Sequence, residues 1–379
     1  MKKIFIMLPL AVACASQFAT AATTDAQRLA QLEQELAILQ EVSSYDSLSD
    51  RMTVNGFFTG KVGVASNDAG YNGYDKDADF SEGSKLGLQG SFALTEQTKI
   101  VAQLVARGND DWSTEMEWAF LSHDFDNGFV TRIGRLRVPL YMYSDYLEVG
   151  YAQPWATPPS ELYSIVPLSS FDGVDAIYDF DFSDVAVTLQ ASYGHADRDT
   201  GALGEVDYKD ILGASASFSY EEWVFRTTYY QTTLDSKNGA SFFDKEDSYF
   251  AGIGLSYDDG SLLAISEFAV SDVEGNYSDT KSGYITLGYR ISDFTPYVSY
   301  AFLETTDDSE RAPGYESSFN WKRNAYSIGT RYDINSNLAL KADVTYATNF
   351  GDTSGGMTPN IADSNDDTIV YTISFDAVF

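Results

Sequence analysis

Cysteine is almost missing from this chain: among 379 residues there is one, Cys14. Disulfides need pairs, so no disulfide framework and no thiol chemistry is expected beyond the first two dozen residues. Histidine is nearly as scarce. His123 and His195 are the only two, and neither has a G-x-S-x-G motif or an evident triad partner nearby, so no enzymatic activity is expected. Basic residues are few, 24 Lys+Arg against 56 Asp+Glu for a net charge of −32. That excludes the basic footprint a nucleic-acid binder needs. Beyond residue 21 no apolar run approaches the roughly 18–20 residues of a membrane-spanning helix. Proline is sparse as well, and five of the nine fall in one stretch: Pro139, Pro154, Pro158, Pro159 and Pro167.

Aromatic residues and glycine are abundant, with 26 Tyr, 24 Phe and 29 Gly. Disordered acidic chains are poor in aromatics, so this composition points to many β-strands. Residues 1–21 read as a secretory signal peptide: Lys2 and Lys3, a short apolar core, then Ala19-Thr20-Ala21 as the cleavage site. A lipoprotein reading that acylates Cys14 is the alternative, set against Ala11, where such signals usually carry Leu. Residues 22–50 contain the one convincing helix of the mature chain. Leu29, Leu32, Leu36 and Leu39 step by three, four and three, an a/d seam. Two readings stay open for it: a helix packed on its own domain, or a short periplasmic coiled coil that joins copies of the chain.

From Met52 the hydrophobic period changes from 3.6 to 2. Val54, Gly56, Phe58, Gly60 and Val62 share one face, and Thr53, Asn55, Thr59 and Lys61 the other. The same alternation recurs to Tyr371, Ile373, Phe375, Ala377 and Phe379, for about sixteen strands. Connections alternate in length. Turns such as Thr95–Gln97 and Asp181–Asp184 are short, whereas Ser66–Gly83, His195–Asp207, Asp235–Asp247 and Ser271–Thr280 are long and acidic. A soluble sandwich has no reason to shorten every second connection, but a transmembrane β-barrel has. The predicted fold is therefore all-β: a transmembrane antiparallel barrel over residues 51–379, with a short N-terminal helix. Strands 1 to 6 are expected at Thr53–Ala65, Lys85–Leu94, Thr98–Arg107, Glu115–His123, Phe129–Arg137 and Gly173–Phe180. The Pro-rich stretch, residues 136–172, is then the third long loop.

The pattern resembles that of the trimeric, sixteen-stranded porins of Gram-negative outer membranes. It is carried by RIGRLRVPLY (Arg132–Tyr141), YAQPWATPPSELY (Tyr151–Tyr163) and the terminal Phe379. The N-terminal coil resembles that of a porin subgroup that includes solute-selective channels. The resemblance implies a homotrimer in the cell outer membrane, in contact with lipid and lipopolysaccharide, with its third loop folded inward as a constriction. It implies a water-filled pore for ions and small hydrophilic solutes. A channel selective for small carboxylates or phosphate is the alternative, and a structural or adhesive barrel a further one. The expected pore residues are a basic wall of Lys61, Lys85, Lys99, Arg107, Arg132, Arg135 and Arg137 facing Asp145, Glu148, Glu161 and Asp172. Strict alternation puts Arg135 and Arg137 on one face and Arg132 on the other, so a bulge or an early loop start is needed for all to face inward. The acidic outer loops favour mild cation preference. No cofactor is expected, though the run Asp363-Ser364-Asn365-Asp366-Asp367 offers oxygen ligands of the kind Ca²⁺ takes.

Overall fold

A computed structural model describes residues 48–200, 203–237, 242–306, 311, 315–353, 355–357 and 365–379. The expected signal peptide and the expected Leu29–Leu39 seam lie outside the described residues, as do Asp363 and Ser364 of the acidic run. Among the described residues no helix is long and apolar enough to cross a membrane, which says nothing of crossing by strands.

The ring opens with β1 (Met52–Ala65), β2 (Lys85–Ala93), β3 (Thr98–Arg107), β4 (Thr114–Asp124) and β5 (Phe129–Arg137). After residues 138–169 follow β6 (Ser170–Phe182), β7 (Val185–Asp199), β8 (Glu205–Tyr220), β9 (Trp223–Ser236) and β10 (Asp244–Asp258). The last six are β11 (Leu262–Val273), β12 (Thr280–Tyr289), β13 (Phe294–Thr305), β14 (Lys322–Asn335), β15 (Leu338–Thr348) and β16 (Asp367–Val378). Each pairs antiparallel with its sequence neighbours, and β1 pairs with β16 to close the barrel. Closure leaves no unpaired edge, the condition for β-structure in hydrocarbon.

The last residue completes the ring. Gly56 N donates to Phe379 O at 2.7 Å, and Phe379 N donates to Gly56 O at 2.9 Å. A side chain at position 56 would meet the Phe379 ring, with ring carbons 2.4 Å from a Cβ there. Glycine at that position is what lets the terminal aromatic lie flat on β1.

The period-2 pattern resolves into two faces. On β12, Ile285 and Leu287 are each 46% exposed while Thr286 between them is fully buried. On β13, Phe294, Val298 and Tyr300 are exposed while Thr295, Ser299 and Tyr297 are buried. A wall with its large apolar side chains outward and its polar ones inward is inverted relative to a protein in water. It matches a barrel surrounded by lipid.

Strand ends differ from the sequence expectation mainly at the long-loop end. β7 runs to Asp199 and β8 starts at Glu205, inside the segment expected as a loop from His195 to Asp207. β9 and β10 likewise extend to Ser236 and from Asp244. Ladder hydrogen bonding continues past the apolar band, where side-chain alternation no longer marks it. β6 starts at Ser170, three residues before the expected Gly173.

Candidate functional site

The long connection between β5 and β6, residues 138–169, is built from short pieces. Its prolines lock φ and remove backbone donors, so no helix or strand propagates. Single turns form at Ser144–Tyr146, Gly150–Ala152 and Ser160–Tyr163. The backbone groups that are left satisfy themselves on side chains of the wall. Met142 N donates to Glu267 Oε2 at 2.8 Å on β11. Trp155 Nε1 donates to Thr286 Oγ1 at 2.9 Å on β12. Lys341 Nζ, on β15, donates to Gly150 O at 2.6 Å and Trp155 O at 3.1 Å. Arg331 Nη1, on β14, donates to Gln153 O at 3.0 Å. Lys61 Nζ, on β1, donates to Thr157 Oγ1 at 3.2 Å. The segment, rooted at β5 and β6, thus bonds to the arc of the ring that runs from β11 to β1.

Five charged side chains gather at one end of this segment. Arg107 Nη2 donates to Glu117 Oε2 at 2.7 Å and to Glu148 Oε1 at 2.9 Å. Arg137 pairs with Glu117 at 2.5 Å, and Lys85 with Glu148 at 3.0 Å. The group holds three cations and two enclosed carboxylates. Burial alone would raise the Glu148 carboxyl, but Lys85, Arg107 and Arg137 outweigh it and hold Glu148 well below the usual carboxylate range. Glu117 reaches the cluster through a bulge: Gln103 pairs with Trp118 and Leu104 with Met116, leaving Glu117 unpaired in the ladder.

Beside this cluster lie two adjoining cavities of about 390 and 400 Å³. Both are lined by Gln89, Trp118, Asp145 and Tyr146. The first adds Lys99, Arg132 and Arg137, and the second adds Asn55, Gln103 and Asn337 towards the short-turn end. The wall arginine Arg132 is bidentate to Asp175, with Nε to Oδ1 at 2.9 Å. Lys99 and Asp145, by contrast, line the space without an ion pair among the described residues.

Lys85, Lys99, Arg107, Arg132, Arg137, Asp145 and Glu148 are therefore brought together, and Lys61 joins the same segment at Thr157. Arg135 and Glu161 stand apart. Arg135 donates to Ser170 Oγ at 3.3 Å and, with Asp172, lines a groove shared with Ile133, Val174 and Tyr193, three exposed apolar side chains of the wall. Arg137, two residues further along the same regular ladder and paired with Ser170, turns instead to Glu117 at the strand's end. Glu161 is fully buried and accepts from Arg323 Nε at 2.7 Å and from the Tyr71 hydroxyl at 3.0 Å. It anchors the segment and lines neither cavity.

No protein-family model and no curated protein matches the sequence. Solved structures match by shape. One is OmpF of Salmonella typhi in complex with daunomycin, at 13% identity, covering 86% of this chain and 97% of that one with a TM-score of 0.60. Another is an anion-selective porin from Comamonas acidovorans, at 14% identity, 86% and 99% coverage and a TM-score of 0.59. A third is the outer membrane channel DcaP of Acinetobacter baumannii, at 11% identity, 86% and 97% coverage and a TM-score of 0.58. The chain has the fold of the sixteen-stranded outer-membrane porins.

Within this porin fold, the residues that sequence reasoning missed are those on the arc facing away from β5. Arg226, Glu267, Arg323, Arg331, Lys341 and Asp343 all bond to the 138–169 segment or to its anchors. Lys341 and Asp343 sat at polar positions of the β15 alternation, which marks their face. Nothing in the sequence ties that face to Trp155 or Thr157, nearly two hundred residues away.

Proposed function

We propose that the chain forms a water-filled channel across the Gram-negative outer membrane, passing ions and small hydrophilic solutes, with residues 138–169 folded into the barrel as its narrowing. The observation that carries this is the polar space bounded by Lys99, Arg132 and Arg137 on the wall and by Asp145 and Tyr146 on the segment. A segment that hydrogen-bonds to β1, β11, β12, β14 and β15 of one closed ring has its shortest course through the interior. There, water and wall side chains satisfy its irregular backbone. The exposed apolar face supports a lipid surround, with the long loops outside the cell and the short turns towards the periplasm. A homotrimer is proposed with it, as one related barrel, OmpT of Vibrio cholerae, is described in a trimer form. Native gel mobility before and after heating tests the trimer.

Mild cation preference is proposed from the net charge of −32, which concentrates cations near the mouth within about 8 Å at physiological salt. A selective channel for small carboxylates or phosphate is the second reading. It is favoured by Arg226, whose guanidinium donates to Ser217 Oγ, Ser215 Oγ and Pro139 O and, among the described residues, to no carboxylate. Liposome swelling with graded sugars tests the channel itself. Refolded protein should admit small sugars and slow with increasing size, and the absence of any flux would overturn the proposal. Reversal potentials across a planar bilayer separate the two selectivities.

A further inference from the structure

The space between the 138–169 segment and strands β8 to β11 differs chemically from the passage beside Asp145. A cavity of about 230 Å³ opens there. Leu140, Ile165 and Leu168 wall it from the segment, and Ile211, Leu234 and Phe250 from the strands. No charged side chain lines it, whereas the neighbouring passage carries Lys99, Arg132, Arg137 and Asp145. It sits at the long-loop end of the barrel, where Phe243 and Tyr277 close in with ring centroids 5.9 Å apart. Trp321 meets Tyr277 edge-on at 5.7 Å.

The lining is mainly apolar, with Thr200, Gln231, Thr232, Ser248, Ser271 and several tyrosines set into it. Tyr208 and Tyr277 both contribute to the wall, and among the described residues neither hydroxyl has a hydrogen-bond partner. The Tyr208 residue is only 7% exposed. A tyrosine hydroxyl both donates and accepts, so either one can bond a polar group of a ligand held in the cavity. Ligand sites generally have this make-up: predominantly apolar and aromatic walls with a few polar groups that fix orientation. A dry apolar cavity of about 150 Å³ takes benzene, so this larger one has room for a fused pair of rings.

We infer that this cavity is a binding site for an uncharged aromatic or alicyclic compound of about ten carbon atoms bearing a hydroxyl. The rings lie against Leu140, Ile165, Ile211 and Leu234, and the hydroxyl bonds to Tyr208 or Tyr277. Charged solutes are rejected because nothing in the wall compensates them. The site adds a solute class to the proposed channel and rests on that reading only for its transport consequence; binding itself does not require flux.

The experiment is equilibrium dialysis of 2-naphthol against the refolded full chain in lipid vesicles, with protein-free vesicles as the partition control. Saturable binding near one molecule per chain is expected, undisturbed by excess glucose or naphthalene-2-sulfonate. Leu234→Trp fills the cavity and should weaken binding at least tenfold. Tyr208→Phe with Tyr277→Phe keeps the rings and should weaken 2-naphthol severalfold while leaving naphthalene unchanged, which serves if the tryptophan variant does not fold. No saturable binding, displacement by the sulfonate, or binding indifferent to both variants overturns the inference. Protein that passes small sugars but fails these tests loses the site and keeps the channel; protein that binds 2-naphthol without sugar flux does the reverse.

Discussion

Arg323 on β14 donates through Nε to Glu161 Oε1 at 2.7 Å, and both side chains are almost fully enclosed. This pair fastens the middle of a segment rooted at β5 and β6 to a strand on another arc of the ring. Removing one partner of a buried pair leaves an uncompensated charge and costs about 3–5 kcal/mol. Arg323→Met should therefore lower the thermal unfolding temperature and raise single-channel conductance as the segment loosens. Calorimetry and bilayer recording check the two effects.

Glu117 is the shared carboxylate of Arg107 and Arg137. Glu117→Gln keeps the shape and frees positive charge beside Lys99 and Arg132. Rings of charge at a narrow point set ion preference, so reversal potentials should move towards anions in the variant. Unchanged potentials would mean that ions do not pass this cluster.

The pH dependence follows from Glu148. Its carboxyl is held below its ordinary 4.5, with burial overcome by Lys85, Arg107 and Arg137. A depressed carboxylate adds stability that is fully present above the unfolded value and is lost as pH falls through the folded one. The stability gap between wild type and Glu148→Gln should stay constant from pH 7 to about 4.5 and narrow below that. Unfolding midpoints measured across that range test it.

Gly56 faces the ring of Phe379, whose carbons would lie 2.4 Å from an added Cβ. Gly56→Val should displace the terminal aromatic and weaken the β1–β16 seam. The expected readout is a lower yield of folded, heat-modifiable protein after refolding, with partial rescue by Phe379→Ala.

Much of the barrel was legible in the sequence because an apolar outer face and a more polar inner one impose a strict period of 2. β3 and β5 begin and end where the alternation does, at Thr98, Arg107, Phe129 and Arg137. Strand ends at the long-loop side were hidden, since hydrogen bonding continues through Asp199 and Glu205 after the apolar face has ended. The basic wall was legible as charged residues on the polar face of β2 to β5. Its pairing was not. Asp175, Glu117 and Arg323 reach their partners through register, a bulge and the course of the 138–169 segment, and none of these leaves a local mark. The Pro content of that segment marked it as the third long loop but not the acceptors, such as Thr286 and Glu267, on which it rests.

The central claim is that residues 138–169 narrow the conducting path, with Asp145 at its edge. Asp145→Cys combined with Cys14→Ser, which removes the one other cysteine of the sequence, allows one atom of the segment to be tagged while current is recorded. Modification with a bulky cationic thiol reagent should reduce single-channel current in discrete steps, and a reducing agent should restore it. Full labelling with unchanged current would contradict the account.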